Sequence, residues 1–200
     1  MKRLVLASSN PGKLREFARL LAPLAIELVP QAALGIPDAE EPHPSFLENA
    51  LAKARHASRL AGLPAMADDS GLCVTALAGA PGVHSARFAG ESGPREHVDA
   101  ANNRLLVERL RGAENRGGHY VCVIVLVRHA DDPEPLVAEG RWYGTVIETP
   151  RGSGGFGYDP YFFLPDLGLT AAELGADHKN RISHRGIAAE RLLALLGAER

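Results

Sequence analysis

Apolar positions recur along this chain in two rhythms. Leu4, Val5, Leu6 and Ala7 form a short run after two basic residues, which predicts a first strand. From Pro11 the spacing changes. Leu14, Phe17, Ala18 and Leu21 recur at helical intervals and predict a helix that buries one face. The stretch 30–44 is acidic and dotted with proline, and reads as a loop. A long helix is predicted over 45–60, ended by Gly62 and Pro64. Residues 65–67 and 72–76 read as strands around an Asp68-Asp69-Ser70-Gly71 turn, and 94–110 reads as a third helix. The most β-prone run is 119–128. With the turn at 131–135 and a strand at 136–147 it predicts a long hairpin. A short strand at 161–164 and a closing helix at 184–196 follow, the helix burying Ile187, Leu192, Leu195 and Leu196. The class is α/β with a mixed sheet. No repeat, low-complexity tract or long linker interrupts the chain, so residues 1–200 read as a single domain.

Composition narrows the function more than the fold. Hydrophobic residues make up 46% of 200, enough for a well-buried core, and no apolar run approaches the roughly 20 residues of a membrane span. The first seven residues look briefly like a signal peptide, but the apolar stretch is too short. Cys73 and Cys122 lie in apolar, strand-like segments without metal-binding spacing, as expected of buried thiols in a reducing cytoplasm. A net charge of −2, with both signs mixed, argues against a polymeric nucleic-acid partner. It leaves room for a small polyanion held by a local cation cluster. Only 4 lysines stand against 18 arginines, so Lys13 and Lys179, both inside motifs, carry extra weight.

Residues 152–160, Gly-Ser-Gly-Gly-Phe-Gly-Tyr-Asp-Pro, combine backbone that can approach a ligand closely with two flat rings and a carboxylate. Phe156 and Tyr158 could stack on a planar heterocycle such as a nucleobase while Gly157 and Asp159 frame it. The alternative is a glycine-rich hairpin whose rings pack on the core. Between the first strand and first helix lie Ser8, Ser9, Asn10, Pro11, Gly12 and Lys13. Asn10 suits an N-cap and Pro11 the first helical position. The helix dipole, Lys13 and the two serine hydroxyls would favour an anion, although the spacing is not that of a Walker A loop. An ordinary capped helix start is the rival reading. Lys13 weighs against it, because a cation opposes the dipole there.

Asp68 and Asp69 repel each other unless solvated or neutralised, and such carboxylates can hold Mg²⁺ together with substrate phosphates. A solvated turn would explain them equally well. Glu48 has a structural role available, since Ser45 and Glu48 fit a capping box, and spacing alone favours the cap. In 179–186, Lys179, Arg181 and Arg185 cluster with His184 before the last helix. Arg185 offers a planar fork to a base edge or phosphate, whereas a solvated basic helix start is the plain alternative.

Taken in order, these segments resemble the inosine triphosphate pyrophosphatase family. The resemblance rests on Ser-x-Asn-x-x-Lys at 8–13, Phe-Leu-Glu-Asn-Ala at 46–50 and Ala-Asp-Asp-Ser-Gly at 67–71. Gly-Ala-Pro-Gly-Val at 79–83, Gly-Gly-Phe-Gly-Tyr-Asp-Pro at 154–160 and Ile-Ser-His-Arg-Gly at 182–186 complete it. It implies an elongated, two-lobed α/β fold around a long mixed sheet flanked by helices, with an active-site cleft between the lobes and usually a homodimer. It also implies Mg²⁺-dependent hydrolysis of ITP, dITP and XTP to the monophosphate and pyrophosphate, clearing deaminated purines from the cytoplasmic nucleotide pool. On that basis Ser8, Asn10 and Lys13 would hold phosphates, with Ser9, Pro11 and Gly12 beside them in the substrate site. Ser70, Phe156, Gly157, Tyr158, Asp159, Lys179, His184 and Arg185 would hold the rest of the nucleotide. Glu48 and Asp69 would bind one Mg²⁺ with Asp68 close by, and Asp69 would also be the catalytic base.

Departures from the family pattern are modest. Ser8 keeps the hydroxyl of a frequent threonine, and His84 replaces a frequent tyrosine. Cys73 and Thr75 replace acidic residues, which weakens the case for a second metal. Selectivity would follow from donors on Arg185, Lys179 or His184 meeting the 6-oxo group, where adenine presents a donor. Rival readings are a pyrophosphatase for modified pyrimidine nucleotides, a nucleotide-binding module without catalysis, and a kinase or transferase. The carboxylates Glu48, Asp68 and Asp69 argue against the module, and the absence of a Walker or acceptor-binding motif argues against the last.

Overall fold

The computed structural model describes residues 2–22 and 26–198, without the side chain of Pro11. Seven strands form one mixed sheet: β1 (Arg3–Leu6), β2 (Glu27–Pro30), β3 (Ala65–Val74), β4 (Gly117–Val127), β5 (Leu136–Val146), β6 (Phe162–Leu164) and β7 (Leu169–Thr170). Their spatial order is β2-β1-β3-β4-β5-β6-β7. β1 runs parallel to β2 and β3, with Val5 opposite Ala65 and Leu6 opposite Met66, whereas β5, β6 and β7 pair antiparallel. The connection 128–135 between neighbours β4 and β5 is too short for a parallel crossover, so the predicted hairpin is present. The helices are α1 (Pro11–Leu21), α2 (Phe46–Ala61), α3 (Arg95–Arg109), α4 (Ala176–Ile182) and α5 (His184–Ala198).

Two compact units share these elements. The first comprises 1–69, 122–140 and 184–200; the second comprises 70–121 and 141–183. β3, β4 and β5 pass from one into the other. The first unit buries Leu4, Leu6, Phe17, Met66, Ile124, Leu126 and Leu192 in a core to which β1, β3, β4, α1 and α5 contribute. Close packing of α5 depends on a missing side chain. A Cβ on Gly140 of β5 would lie 2.1 Å from the carbonyl oxygen of His184, at the first residue of α5. The second unit has an aromatic core, in which Tyr120 meets Phe162 edge-on at 4.7 Å beside Trp142.

Local signals explain the long helix well. Ser45 caps α2 by accepting the Glu48 N–H at 3.3 Å, and Gly62 ends it in the left-handed conformation at φ 64. Two predictions fail: a turn at 68–71, and burial of Leu195, which is 38% exposed on the last helix. The segment from Asp68 to Gly71 is not a turn but the middle of β3, which runs unbroken through 65–74. Residues 176–182, to which the sequence assigned no element, form α4. Lys179 and Arg181 therefore sit in a last helical turn, where positive charge is favoured rather than opposed.

Candidate active site

β1 ends at Leu6, and α1 begins at Pro11 just beyond it. β3 continues past the end of its parallel neighbour and carries Asp68 and Asp69 there. Ligands of open α/β sheets commonly bind at such carboxyl ends of parallel strands. Because successive strand side chains point to opposite faces, the two aspartates have different surroundings. Asp68 meets α1 and α5, and Asp69 meets α2.

Asp68 is 1% exposed. Its Oδ2 lies 2.8 Å from Lys13 Nζ, 3.8 Å from Arg185 Nε and 3.9 Å from the Cys122 thiol sulfur. Burial alone would raise its pKa. The cations Lys13, Arg185 and Lys53 reverse that and hold it well below the ordinary carboxylate value, so Asp68 is ionised. Lys13 thus has its reason for standing at a helix N-terminus. Arg185, 4% exposed, also pairs with Glu16 of α1. Burial lowers the Arg185 pKa, but Asp68 and Glu16 outweigh it and the net shift is upward. The same surroundings push the Cys122 thiol pKa up, through burial first and then the Asp68 charge.

Asp69 is held differently. Asn49 Nδ2 reaches its Oδ2 at 3.3 Å, and Lys53 Nζ its Oδ1 at 3.1 Å, both from α2. Lys53 also donates to Glu41 in the acidic loop. Burial raises the Asp69 pKa and the Glu41 charge adds to it; Lys53 and Lys13 offset this only in part. For Lys53, burial works downward, but Asp69, Asp68 and Glu41 prevail and its pKa is raised. Two adjacent carboxylates are therefore shifted in opposite directions. Glu48, one residue before Asn49, is exposed and accepts the Ser45 hydroxyl proton at 2.5 Å. Its capping contact is made through the Ser45 side chain.

The phosphate-loop expectation changes in detail. Asn10 Oδ1 accepts the Gly12 and Lys13 N–H groups at 2.9 and 3.3 Å, so these helix donors already have a partner. Ser8 Oγ accepts the Asn10 N–H at 3.2 Å, and the Ser9 hydroxyl donates to Asp38, a carboxylate the sequence reading did not single out. The Pro11 side chain lies outside the described atoms.

In the second unit the glycine loop divides its two rings. Tyr158 is 4% exposed, packs in the aromatic core and donates its hydroxyl to the Ser85 carbonyl at 2.8 Å. Stacking by both rings is thereby corrected, because Tyr158 is a core residue. Phe156 is half-buried, with Arg95 and Lys179 over its ring at 5.5 and 5.3 Å from the centroid. Asp159 is buried, accepts the Phe156 N–H at 2.8 Å and is paired with Lys179. Gly155 has φ +74, and a Cβ there would lie 2.0 Å from Asp159 Oδ2, so only glycine fits. Ser70, the next residue of β3, is half-buried, and His184 is buried at the start of α5.

The sequence reading missed Glu41, Asn49 and Lys53 at Asp69. A signal was available for two of them. Asn49 and Lys53 stand four apart on one helix, which puts them on one face, and Lys53 is one of only 4 lysines. It also missed Asp99 and Asn103 of α3, which bind the backbone of Gly157.

A sequence model of the Ham1 family matches residues 4–195. The dITP/XTP pyrophosphatase of Ralstonia nicotianae is 64% identical over 197 residues, covering 98% of this chain and 97% of that one. A solved HAM1 protein from Coxiella burnetii superposes with TM-score 0.92 at 46% identity, over 99% of this chain and 100% of its own. The nucleoside-triphosphatase / dITP/XTP pyrophosphatase of Mycobacterium abscessus gives TM-score 0.75 at 43% identity, over 97% and 98% of the two chains.

Proposed function

This chain belongs to the Ham1 family, and we propose that it hydrolyses deaminated purine nucleoside triphosphates, dITP, XTP and ITP, at the α–β phosphoanhydride. Water attacks the α-phosphorus, pyrophosphate leaves, and the nucleoside monophosphate and one proton are the other products. The observation that carries the reading is the split between neighbouring carboxylates. Asp68 is enclosed by Lys13 and Arg185 at 2.8 and 3.8 Å, whereas Asp69 points to the other face toward Asn49 and Lys53, and their pKa values shift down and up respectively. Paired groups driven apart in this way sort into a fixed charge and a proton acceptor. Asp69 takes the proton of the attacking water. Asp68 keeps Lys13 in place at the α1 N-terminus, where its ammonium offsets charge on the phosphates.

The oxygen donors around Asp69 suit a hard divalent ion, and its carboxylate already shares one cation, the Lys53 ammonium, with Glu41. Among the described residues no group of three or more His, Cys, Asp or Glu side chains could hold a metal by itself. We assign Mg²⁺ to Glu48 and Asp69, with Asp68 close by and substrate oxygens completing the shell. Bound there, the ion would shield the triphosphate and orient water. Phe156 offers the base its half-exposed ring, and Lys179 beside it is the donor best placed for the 6-oxo group. Arg185, committed to Asp68 and Glu16, serves charge balance. The free thiols Cys73 and Cys122 suit a reducing cytoplasm, and the homodimer implied by the family resemblance is checked by sedimentation.

Pyrophosphate release from ITP, XTP, GTP, ATP and dUTP, each with Mg²⁺ and with chelator, tests the whole reading. Fast Mg²⁺-dependent release from ITP and XTP is expected, with ATP and GTP slow. Activity centred on dUTP would keep the chemistry and sink the base assignment. Nucleotide binding with no release would return the non-catalytic module.

A further inference from the structure

Helix α3 carries a small polar device that none of the family motifs contains. Asp99 Oδ2 accepts the Gly157 N–H at 2.9 Å, and Asn103 Nδ2 donates to the Gly157 carbonyl at 2.9 Å. The two residues stand four apart, so they form one pair on one helix face. Both backbone groups of one glycine are therefore gripped by one turn of helix. The other Asp99 oxygen accepts Arg95 Nε at 2.9 Å, and that guanidinium is the group lying 5.5 Å from the Phe156 ring centroid. Asp99 thus fixes the residue after Phe156 and the cation over Phe156 at once.

The Asn103 amide orientation is set by chemistry. Its nitrogen faces two carbonyls, those of Asp99 and Gly157, at 2.8 and 2.9 Å, and an amide oxygen there would be repelled. The other side of the loop is held as firmly. Tyr158 donates to Ser85, Tyr120 is hydrogen-bonded to the Tyr158 backbone, and Asp159 takes the Phe156 N–H. Asn102, next to Asn103, fixes the Ser85 segment by accepting the Ala89 N–H at 2.8 Å and donating to Ala86 O at 3.3 Å. Every residue from 156 to 159 thus has a fixed backbone or side-chain contact, whereas the Phe156 ring stays half-open.

We propose that Asp99 and Asn103 are positioning residues that set the orientation of Phe156 as a stacking plate for the substrate base, with Asp99 also holding Arg95 over it. In this role both act on the base and not on the chemical step. The inference rests on the pyrophosphatase reading above and adds residues to its base subsite. A loop merely held for stability would predict a lower melting temperature and no selective loss of base affinity.

The test is a double-mutant cycle on the full chain with Asp99→Ala, Phe156→Ala and both together, and Asp99→Asn as the conservative variant. ITP binding in chelator is read by calorimetry alongside KM and kcat with Mg²⁺. Asp99→Ala is expected to weaken ITP binding and raise KM by ~10-fold, with kcat within about twofold. Asp99→Asn, which keeps an oxygen for the Gly157 N–H, is expected to recover most of that loss. Added to Phe156→Ala, the Asp99 substitution should cost little more, because it acts through the same ring. Additive losses, or a fall in kcat at unchanged KM, would overturn the proposal. If Asp99→Ala does not fold, the same cycle with Asn103→Asp in its place decides it. That substitution sets a carboxylate against two carbonyls and should raise KM. Wild-type protein that neither binds nor hydrolyses ITP would instead remove the pyrophosphatase reading, and this inference with it.

Discussion

The carboxylate cluster on β3 and the glycine loop after β5 are both polar, yet they are held by opposite means. Around Asp68 and Asp69, charge holds charge: Lys13, Arg185 and Glu16 on one side, Lys53 and Glu41 on the other. Around Gly157, side chains hold backbone, and the cations sit over a ring. The difference lies in what each region risks. Removing one member of a buried charge cluster strands its partner in low dielectric, and this costs several kcal/mol. Removing one hydrogen bond from the loop shifts a plate by a fraction of an ångström, which is felt mainly as affinity. On the proposed reading the first region would supply a fixed field and a proton acceptor, and the second would supply shape.

The largest break should come at Asp69. Asp69→Asn is expected to lower kcat by roughly 10²–10⁴-fold, as loss of a general base does. Its stability should fall only modestly, because burial penalises the ionised Asp69 and Lys53 keeps Glu41 as a partner. A near-normal rate in that variant would move the base to Asp68 or Glu48. Asp68→Asn should cost more stability. It leaves Lys13 and Arg185 facing a neutral group and should cost about 3–5 kcal/mol in denaturant unfolding. An Asp68→Asn protein as stable as wild type would show that the cluster is not held by charge.

Acid sharpens the same contrast. The folded pKa of Asp68 lies below the ordinary aspartate value of 3.8. Its contribution is therefore fully present above that value and is lost as pH falls through the folded pKa. The stability gap between wild type and Asp68→Asn, measured with chelator, should be full near neutral pH and close only in strong acid. Asp69 has the opposite sign, since its charged form is the penalised one, so acidification relieves rather than removes stability there.

In the second region Gly155→Ala would collide with the Asp159 carboxylate and must hold φ +74. A cost of about 1–3 kcal/mol is expected, with weaker ITP binding and unaltered kcat. A raised KM would tie the Asp159 contact to the base; a change in kcat alone would detach it. The smallest effect is at the α2 cap, where Ser45→Ala should cost ~1 kcal/mol of stability. Activity distinguishes the two roles of Glu48. Glu48→Gln should barely alter stability but should raise the Mg²⁺ concentration needed for half-maximal rate.

The helix with a serine cap and a glycine stop was legible within one residue, 45–60 against Phe46–Ala61, because its end signals are local. The aspartate pair in β3 was not. Asp, Ser and Gly disfavour strands on their own, and β3 stays extended past the end of β1 because β4 lies beside it and its charges are met by three helices. The same reasoning explains Lys53 and Asp99, whose roles depend on partners far along the chain. Tyr158 had two open readings, and the aromatic core settled it as a packed residue.

By itself the amino-acid order determined the α/β class, the caps and the identity of the chemical groups, since each is set by neighbours within a few residues. Which aspartate is locked ionised and which is driven toward the proton was decided only by the tertiary structure. The reason is electrostatic. A pKa depends on burial and on charges brought within a few ångströms, and the packing of α1, α2 and α5 around two consecutive residues of one strand places those charges on opposite sides.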